Sequence, residues 1–291
     1  MAKPNGLIFA RIVANIIYLW YTYVNNYNNL TFLVIYLGGM IQMNTNINEN
    51  VINTRRNNRI IKHNDAVYKV FNEGYSKEDV FAEAFFTSKI EGLKVGAPSI
   101  EQVTTINGQW AFMYPDIYGE SLYTLMMNNP DKLDEYMDKL IKIQTNIHSK
   151  KCPYLPIQKQ KLTDYINSAH LDRYLKLDLL DMLNSSPKHK KLCHGNLTPH
   201  NIIIKDDNIY VTDWNHASQG NASADVARTY LWMLINMPDY AENYLERFCN
   251  ETNTSSKYVH NWIPIVAAAR CAKNIPEEVK ILNGLISVME Y

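Results

Sequence analysis

The first forty residues differ in pattern from the rest of the chain. Residues 6–24 and 30–43 are almost wholly apolar and aromatic, whereas apolar and polar positions are interspersed after Asn44. A membrane-spanning helix needs about 20 apolar residues without a central charge. Arg11 and Asn15 interrupt the first run, and the second run is shorter. We therefore treat residues 1–42 as a separate apolar extension.

Three interpretations of residues 1–42 remain open: a membrane anchor, a secretory signal, or a start site placed too far upstream. A signal would need a small-x-small cleavage site, and no clear one is present. The codons of Gly38 and Gly39 necessarily contain GGNGG, which resembles a ribosome-binding sequence a few codons before Met43. We favour a start at Met43, which predicts a cytoplasmic protein.

The pattern that follows the extension predicts a small antiparallel sheet interrupted by one helix. Two β-like runs in residues 58–71 flank the turn sequence HND. Residues 75–92 keep helical spacing, Ser76 with Asp79 resembles a capping box, and Gly92 ends the helix. Two more strands are predicted around the turn Asn107-Gly108.

Helical patterns dominate the remainder of the chain, and the break between the two regions falls near residues 114–119. We accordingly predict an N-lobe over residues 43–116 and a helical C-lobe over residues 117–291. The fold class is therefore α+β, with a small antiparallel-sheet lobe that contains one helix and a larger, mostly helical lobe.

Charge and cysteine content narrow the function classes. The 29 Lys and Arg residues balance 29 Asp and Glu residues, so no strong field favours nucleic acid. We expect no nucleic-acid partner, and a membrane partner only if residues 1–42 are an anchor. The four cysteines are scattered and predict neither a zinc site nor a disulfide framework; they are Cys152, Cys193, Cys249 and Cys271.

Candidate chemistry lies in residues 192–217, LCHGNLTPHNIIIKDDNIYVTDWNHA. Asn201 follows Asn196 by five positions, and Asp213 comes twelve positions later at the end of a probable strand. Hard oxygen donors suit Mg²⁺, so Asn201 and Asp213 are candidate metal ligands. Upstream, Lys69 on a strand and Glu83 in the following helix can pair, which would hold the lysine against nucleotide phosphates.

These elements together resemble the aminoglycoside phosphotransferase and choline kinase-like family, from about Thr54 to the C-terminus. The loop of that family reads H-G-D-x-x-x-x-N and is followed by a strand-borne Asp. Four residues match it by position: His194, Gly195, Asn201 and Asp213. The resemblance implies a protein-kinase-like two-lobe fold, ATP or GTP as phosphate donor, Mg²⁺, and transfer to a hydroxyl of a small-molecule acceptor.

The resemblance also implies roles for further residues. Met113, Tyr114 and Asp116 would join Lys69 and Glu83 in nucleotide binding. In GNASADVART, residues 220–229, Asp225 and Arg228 would brace the catalytic loop, and His194 would be structural within it.

Two departures from the family pattern are present. The nucleotide loop has no glycine, so Arg55, Arg56, Arg59 or backbone amides must hold the phosphates; the arginines stay unassigned. Asn196 stands where relatives have the Asp that accepts the hydroxyl proton. General-base help is typically worth about 10²–10⁴-fold, so Asn196 predicts an impaired phosphotransferase. The alternative is a nucleotide-binding pseudokinase with a regulatory or scaffolding role.

Several secondary interpretations concern the acceptor. His200 or His216 could replace the missing base, although surface or supporting roles are commoner. The aromatic residues Trp214, Tyr230 and Trp232 are expected in the helical core, with a cage for a quaternary ammonium group as the minority interpretation. Acidic residues in 239–248 and 274–282 could contact a polycationic aminoglycoside, but a solvated face is the simpler interpretation.

Overall fold

The computed structural model describes residues 44–45 and 50–287, and the structural statements below concern these residues. The chain divides into two compact units, Met1–Met43 and Asn44–Tyr291. The expectations for residues 1–42 therefore lie outside the described residues. Among the helices of the described part, none is both long and apolar enough to cross a membrane.

The N-terminal sheet of the second unit has six strands in the order β1-β5-β6-β4-β3-β2. Neighbouring strands are antiparallel except β1, which pairs with β5 in parallel. Asn64 and Asn107 form its hairpin turns with positive φ values of 53° and 49°, a conformation that asparagine tolerates. The strands are β1 (Asn44–Thr45), β2 (Val51–Thr54), β3 (Asn58–His63), β4 (Ala66–Phe71), β5 (Gln102–Ile106) and β6 (Gln109–Pro115).

Helix α1 (Lys77–Ile90) crosses from this sheet to the helical region. The Ser76 hydroxyl caps it by accepting a hydrogen bond from the Asp79 backbone N–H at 3.3 Å. Val80, near the start, packs in the sheet core, whereas Ile90, at the end, packs in the core of the helical lobe. The helix thereby fixes Glu83 between the two lobes.

The C-lobe contains helices and two small sheets. Strands β7 (Glu120–Ser121), β9 (Ile202–Lys205) and β10 (Asn208–Val211) form one sheet, and β8 (Lys191–Cys193) pairs with β11 (Ser218–Gly220) in the other. The helices are α2 (Leu122–Asn128), α3 (Leu133–His148), α4 (Gln158–Ser168), α5 (Arg173–Ser185), α6 (Ala222–Asn236), α7 (Pro238–Thr252), α8 (Ser256–His260), α9 (Ile263–Cys271) and α10 (Val279–Ser287).

This arrangement confirms the predicted α+β, kinase-like two-lobe fold. Residues 194–201, which join β8 to β9, form the loop expected to carry the chemistry, and Asp213 comes two residues after β10. The small sheets therefore bring both segments to the junction of the lobes. The helices behind them supply the main hydrophobic core.

A buried polar chain ties three helices to this loop. The Tyr244 hydroxyl of α7 donates to Gln144 Oε1 of α3 at 2.5 Å, and Gln144 Nε2 donates to Thr229 Oγ1 of α6 at 3.2 Å. The Thr229 hydroxyl in turn donates to the Leu197 carbonyl in the loop at 2.9 Å. The side-chain polar groups of Tyr244, Gln144 and Thr229 thus each have a hydrogen-bond partner. These bonds hold the loop backbone against the core.

Tyr244→Phe should destabilise the protein, because it leaves the buried Gln144 Oε1 without a donor. Such a buried unsatisfied group costs about 1–3 kcal/mol. Chemical denaturation monitored by circular dichroism measures the loss. Tyr240→Phe, on the same helix but 36% exposed, is the matched control and should be neutral. Equal stability of the two variants would contradict a role for the buried chain.

Candidate active site

Lys69 lies at the centre of a buried charge cluster between the lobes. Its Nζ atom, on β4, is 2.7 Å from Glu83 Oε1 of α1 and also donates to Asp213 Oδ1. Burial by itself would lower the pKa of Lys69, but Asp213 and Glu83 outweigh it and raise that pKa. Burial raises the pKa of Glu83, while Lys69 opposes the shift. The lysine is therefore firmly cationic and held in position.

The oxygen atoms of Asn201 and Asp213 converge on one positively charged nitrogen. Arg55 Nη1, between β2 and β3, lies 2.8 Å from Asn201 Oδ1 and 3.0 Å from Asp213 Oδ2. Although burial opposes ionisation, Lys69 and Arg55 lower the pKa of Asp213, so its carboxylate is charged. The guanidinium nitrogen thus occupies the position of a cation between two hard oxygen donors, and this donor set fits Mg²⁺.

The loop expected to be catalytic, residues 194–201, is held by Asp225 of α6. Its carboxylate accepts the backbone N–H groups of His194 at 3.0 Å and Gly195 at 2.6 Å, and it lies 2.9 Å from His148 Nε2. Burial would raise the pKa of Asp225, but these hydrogen bonds and His148 lower it. Gly195 has a φ of 79°, and a Cβ there would lie 2.3 Å from the His216 carbonyl oxygen. Only glycine fits this turn.

His194 is enclosed within the loop. Its Nε2 lies 3.0 Å from the Thr212 carbonyl oxygen, and its Nδ1 accepts the Asn196 backbone N–H at 3.3 Å. The ring packs against Trp214 at a centroid distance of 4.5 Å. Because burial lowers its pKa, the imidazole is neutral and serves to shape the loop.

Asn196 is held through both its side chain and its backbone carbonyl. Arg228 Nη2 donates to Asn196 Oδ1 at 2.7 Å, and Asn201 Nδ2 donates to the Asn196 carbonyl at 3.0 Å. The residue that replaces the usual carboxylate therefore points its amide oxygen at a cation. This contact links α6 to the loop at the point where a hydroxyl acceptor would approach.

The two histidines considered as substitute bases have different surroundings. Burial and then Arg55 lower the pKa of His200, whose ring stacks near Tyr123 at a centroid distance of 4.0 Å. Burial, Lys161 and further cations lower the pKa of His216 well below its ordinary value. His216 lines the pocket beside the loop. Both imidazoles are neutral near pH 7, and their basicity is weak.

The residues expected to bind nucleotide at the junction of the lobes lie at the end of β6. The Tyr114 side chain is buried in the sheet core, which raises its pKa, and Met113 is partly exposed. Asp116 Oδ2 lies 3.0 Å from Lys205 Nζ and 3.5 Å from Lys62 Nζ. The Tyr114 ring and the Asp116 carboxylate are thus engaged by the protein itself, and the carbonyl groups of Met113 and Asp116 also accept hydrogen bonds, from the Glu101 backbone N–H and Lys205 Nζ.

The aromatic residues Trp214, Tyr230 and Trp232 do not share one set of neighbours. Trp214 packs on His194, Tyr230 contacts His260 and donates to Glu242, and Trp232 contacts Tyr123 and His200. The three aromatic side chains therefore lie at separate places in the helical lobe and do not form one cluster.

A pocket of about 80 Å³ lies beside residues 194–201. Gly195 and Arg228 are among its lining residues, and helices α4 and α9 contribute Tyr165 and Val266. Sequence reasoning did not identify this pocket, because its residues come from segments far apart in the chain and follow no short motif. It also left Arg55 unassigned and missed His148, whose contact with Asp225 spans 77 positions.

The chain belongs to the phosphotransferase enzyme family, since the sequence model of that family matches residues 47–258. A 65-residue segment is 31% identical to protein LicA of Haemophilus influenzae, a match that covers 22% of this chain and only 24% of LicA. The match of the family model confirms the family expected from the motifs.

Two solved structures illustrate the shared fold. Choline kinase LicA from Streptococcus pneumoniae is 15% identical with a TM-score of 0.57, over 82% of this chain and 91% of that chain. A thermostable mutant of aminoglycoside phosphotransferase APH(4)-Ia, in ternary complex with AMP-PNP and hygromycin B, is 12% identical with a TM-score of 0.61. That alignment covers 83% of this chain and 92% of the other.

Asp225→Asn should cost about 3–5 kcal/mol of stability at pH 7, because it removes a buried charge from its partners. The new side-chain NH2 group would also face backbone N–H groups, which are donors as well. The pKa of Asp225 is lowered in the folded state. The contribution of the Asp225 carboxylate to the free energy of unfolding is therefore complete above the pKa of aspartate in the unfolded chain, about 3.9. This contribution is lost as the pH falls through the pKa of the folded state.

Denaturation at several pH values tests this expectation. The gap between parent and Asp225→Asn should be full near neutral pH and shrink below about pH 4. Asp181→Asn, an exposed position on α5, is the control and should follow the parent throughout. A gap that is independent of pH would show that the ionised carboxylate is not what stabilises the loop.

Proposed function

From this family membership, we propose that the chain transfers the γ-phosphoryl group of ATP or GTP to a hydroxyl of a small-molecule acceptor. The observation that carries the proposal is the convergence of Lys69, Asn201 and Asp213 beside the catalytic loop: Lys69 contacts Asp213, and the oxygen atoms of Asn201 and Asp213 converge on one nitrogen of Arg55. Phosphoryl transfer depends mainly on positioning and electrostatic stabilisation, and these residues supply both.

The donor phosphates would be held by positive charge. Lys69 is cationic, buried and oriented by Glu83, so it can contact phosphate oxygens without losing further side-chain entropy. Arg55 belongs to the loop that lacks glycine, and its guanidinium presents several donors that suit phosphate. We infer that Arg55 exchanges Asn201 and Asp213 for phosphate oxygens when nucleotide binds.

Magnesium would be held by Asn201 Oδ1 and Asp213. When bound, it would supply neutralisation of the charge that develops on the phosphates. The metal and Arg55 would compete for the same two oxygens, because like charges repel at such short range. Displacement of Arg55 therefore couples metal binding to the new contacts of Arg55 with the nucleotide.

Asn196 would face the acceptor hydroxyl. Its amide oxygen can accept a hydrogen bond but has no useful basicity, and Arg228 already donates to that oxygen. We infer that the enzyme orients its acceptor without a strong general base and is slower than a relative with aspartate. Choline kinase and a hygromycin B complex occur among the similar structures, and for this chain they support a small hydroxylated acceptor.

Nucleotide binding should depend on magnesium and on Asp213. In isothermal titration with AMP-PNP, Asp213→Asn should weaken the magnesium-dependent affinity at least about tenfold, because a charged oxygen ligand becomes neutral. Asp207→Asn removes an exposed carboxylate from the neighbouring β9–β10 turn and should bind like the parent. Equal, magnesium-independent affinities for all three proteins would refute the site.

Asn196→Asp should raise the rate of transfer by about 10²–10⁴-fold. Arg228 would ion-pair with the new carboxylate and reduce its basicity, so we expect the lower end of this range. Nucleotide affinity should barely change, because the side chain faces the acceptor. A coupled ADP-release assay over pooled aminoglycosides, amino alcohols, sugars and hydroxy acids measures the gain.

Asn196→Ala is the control for this substitution, since it removes the amide without adding a base, and it should give no gain. A variant Asn196→Asp that binds nucleotide but stays silent on every acceptor would favour the pseudokinase interpretation. A parent that turns over as fast as Asn196→Asp would show that Asn196 is no handicap.

A further inference from the structure

The pocket beside the catalytic loop is lined by cationic side chains from three helices and the segment after the last of them. They are Lys161 of α4, Arg228 of α6, Arg270 of α9 and Lys273 after α9. The pocket lining contains one carboxylate, that of Asp225. Asp225 is already engaged by His148 and by two backbone N–H groups of the loop. The residues that line the pocket therefore carry an excess of positive charge.

Only one of the four cations has a carboxylate partner of its own. Arg270 donates from Nε and Nη2 to both oxygens of Glu278, each at 2.7 Å. This bidentate contact neutralises Arg270. The acidic residues of 239–248, which could have drawn a polycation, do not line the pocket.

The other three cations contact neutral groups. Lys161 Nζ lies 3.5 Å from the carbonyl oxygens of Asn215 and Ala217, and Lys273 Nζ lies 5.7 Å from the centre of the Tyr165 ring. Arg228 donates to the Asn196 amide. Across residues 50–287, no carboxylate forms an ion pair with Lys161, Arg228 or Lys273.

The charges in the pocket also act on one another. Burial and then Lys273 lower the pKa of Lys161 to about 8, and burial and then Arg270 lower the pKa of Arg228 to about 9. Asp79, in the first turn of α1, partly offsets the pKa shifts of Lys161 and Lys273, and Glu278 and Asp225 partly offset that of Arg228, without forming ion pairs with these cations. A bound anion would relieve this repulsion, whereas a second cation would add to it.

We propose that the acceptor carries a compact oxyanion group, a carboxylate or a phosphate, which Lys161, Arg228 and Lys273 bind. The inference rests on the proposed function for the transfer step and adds the charge class of the acceptor. A choline or aminoglycoside ammonium group would meet three positive charges that lack an ion-pair partner in a small pocket, which disfavours it. A volume of about 80 Å³ admits a small group.

Asn196 belongs to the same charge pattern. An aspartate at this position would place a carboxylate against Arg228 and neutralise it, as Glu278 neutralises Arg270. The neutral amide orients Arg228 and leaves its charge available to the pocket. The substitution that weakens proton removal therefore favours an anionic acceptor.

The test uses small charge probes, so that it does not depend on knowing the acceptor. The full chain is saturated with magnesium and AMP-PNP to fill the nucleotide site and is then titrated with inorganic phosphate, acetate or tetramethylammonium. Phosphate or acetate should bind, and whichever binds more tightly identifies the oxyanion. Tetramethylammonium should not bind.

Matched lysine variants locate the binding. Lys273→Gln and Lys161→Gln should each weaken anion affinity about tenfold or more, because each removes a charged hydrogen-bond donor. Lys280→Gln makes the same change at an exposed position of α10 outside the pocket and should have no effect. Lys273 is exposed, so its replacement should leave the melting temperature unchanged and keeps the test valid if Lys161→Gln unfolds.

The outcomes separate this inference from the proposed function. Three results would each overturn the inference of an anionic acceptor. They are binding of tetramethylammonium, equal anion affinity in Lys273→Gln and Lys280→Gln, and absence of anion binding by the nucleotide-loaded chain. A chain that binds no nucleotide but still binds phosphate through Lys161 and Lys273 would instead overturn the phosphotransferase proposal and leave an anion site.

Discussion

The buried ammonium group of Lys69 is the contact on which the active-site geometry depends. A charge removed from water costs several kcal/mol unless it is paired, and the partners of this lysine come from α1 and from the segment after β10. The sheet, the helix and the catalytic segment are therefore fixed relative to one point. Arg55 adds a second link between the same regions through Asn201 and Asp213. The opposing charges make the junction of the lobes a structural contact, and the same groups are those that we propose bind phosphate and metal.

Local signals explain how much of this could be predicted from the sequence. The turn at Asn64, the cap at Ser76 and the strand pairs around Asn107 each depend on residues close in the chain, and all three appear in the structure. The spacing from Asn196 to Asn201 and Asp213 is similarly local, because one hairpin carries the segment between them. Such short-range patterns can be recognised without knowing which distant residues meet.

Long-range charge pairing explains the rest. Arg55 reaches Asp213 across 158 positions, and His148 reaches Asp225 across 77. Which cation meets which carboxylate depends on how helices pack, and the sequence contains many equivalent candidates. The acidic stretches illustrate this, since Glu278 serves Arg270 and Glu242 accepts from Tyr230. A count of balanced charges therefore conceals a pocket in which one sign dominates.

This local imbalance changes how the loss of the catalytic carboxylate should be weighed. For a cationic acceptor, an aspartate at position 196 would provide both the general base and an attractive charge. Asparagine would therefore lower both the rate of proton removal and the affinity for the acceptor. For an anionic acceptor, the same carboxylate would repel the acceptor and neutralise Arg228, so asparagine loses the base but gains binding. Because general-base help is only part of the rate enhancement in phosphoryl transfer, stronger binding and orientation of an anionic acceptor can offset part of that loss. The Arg228–Asn196 contact thus leaves Arg228 positively charged beside Lys161 of α4 and Lys273 after α9, as an anionic acceptor requires.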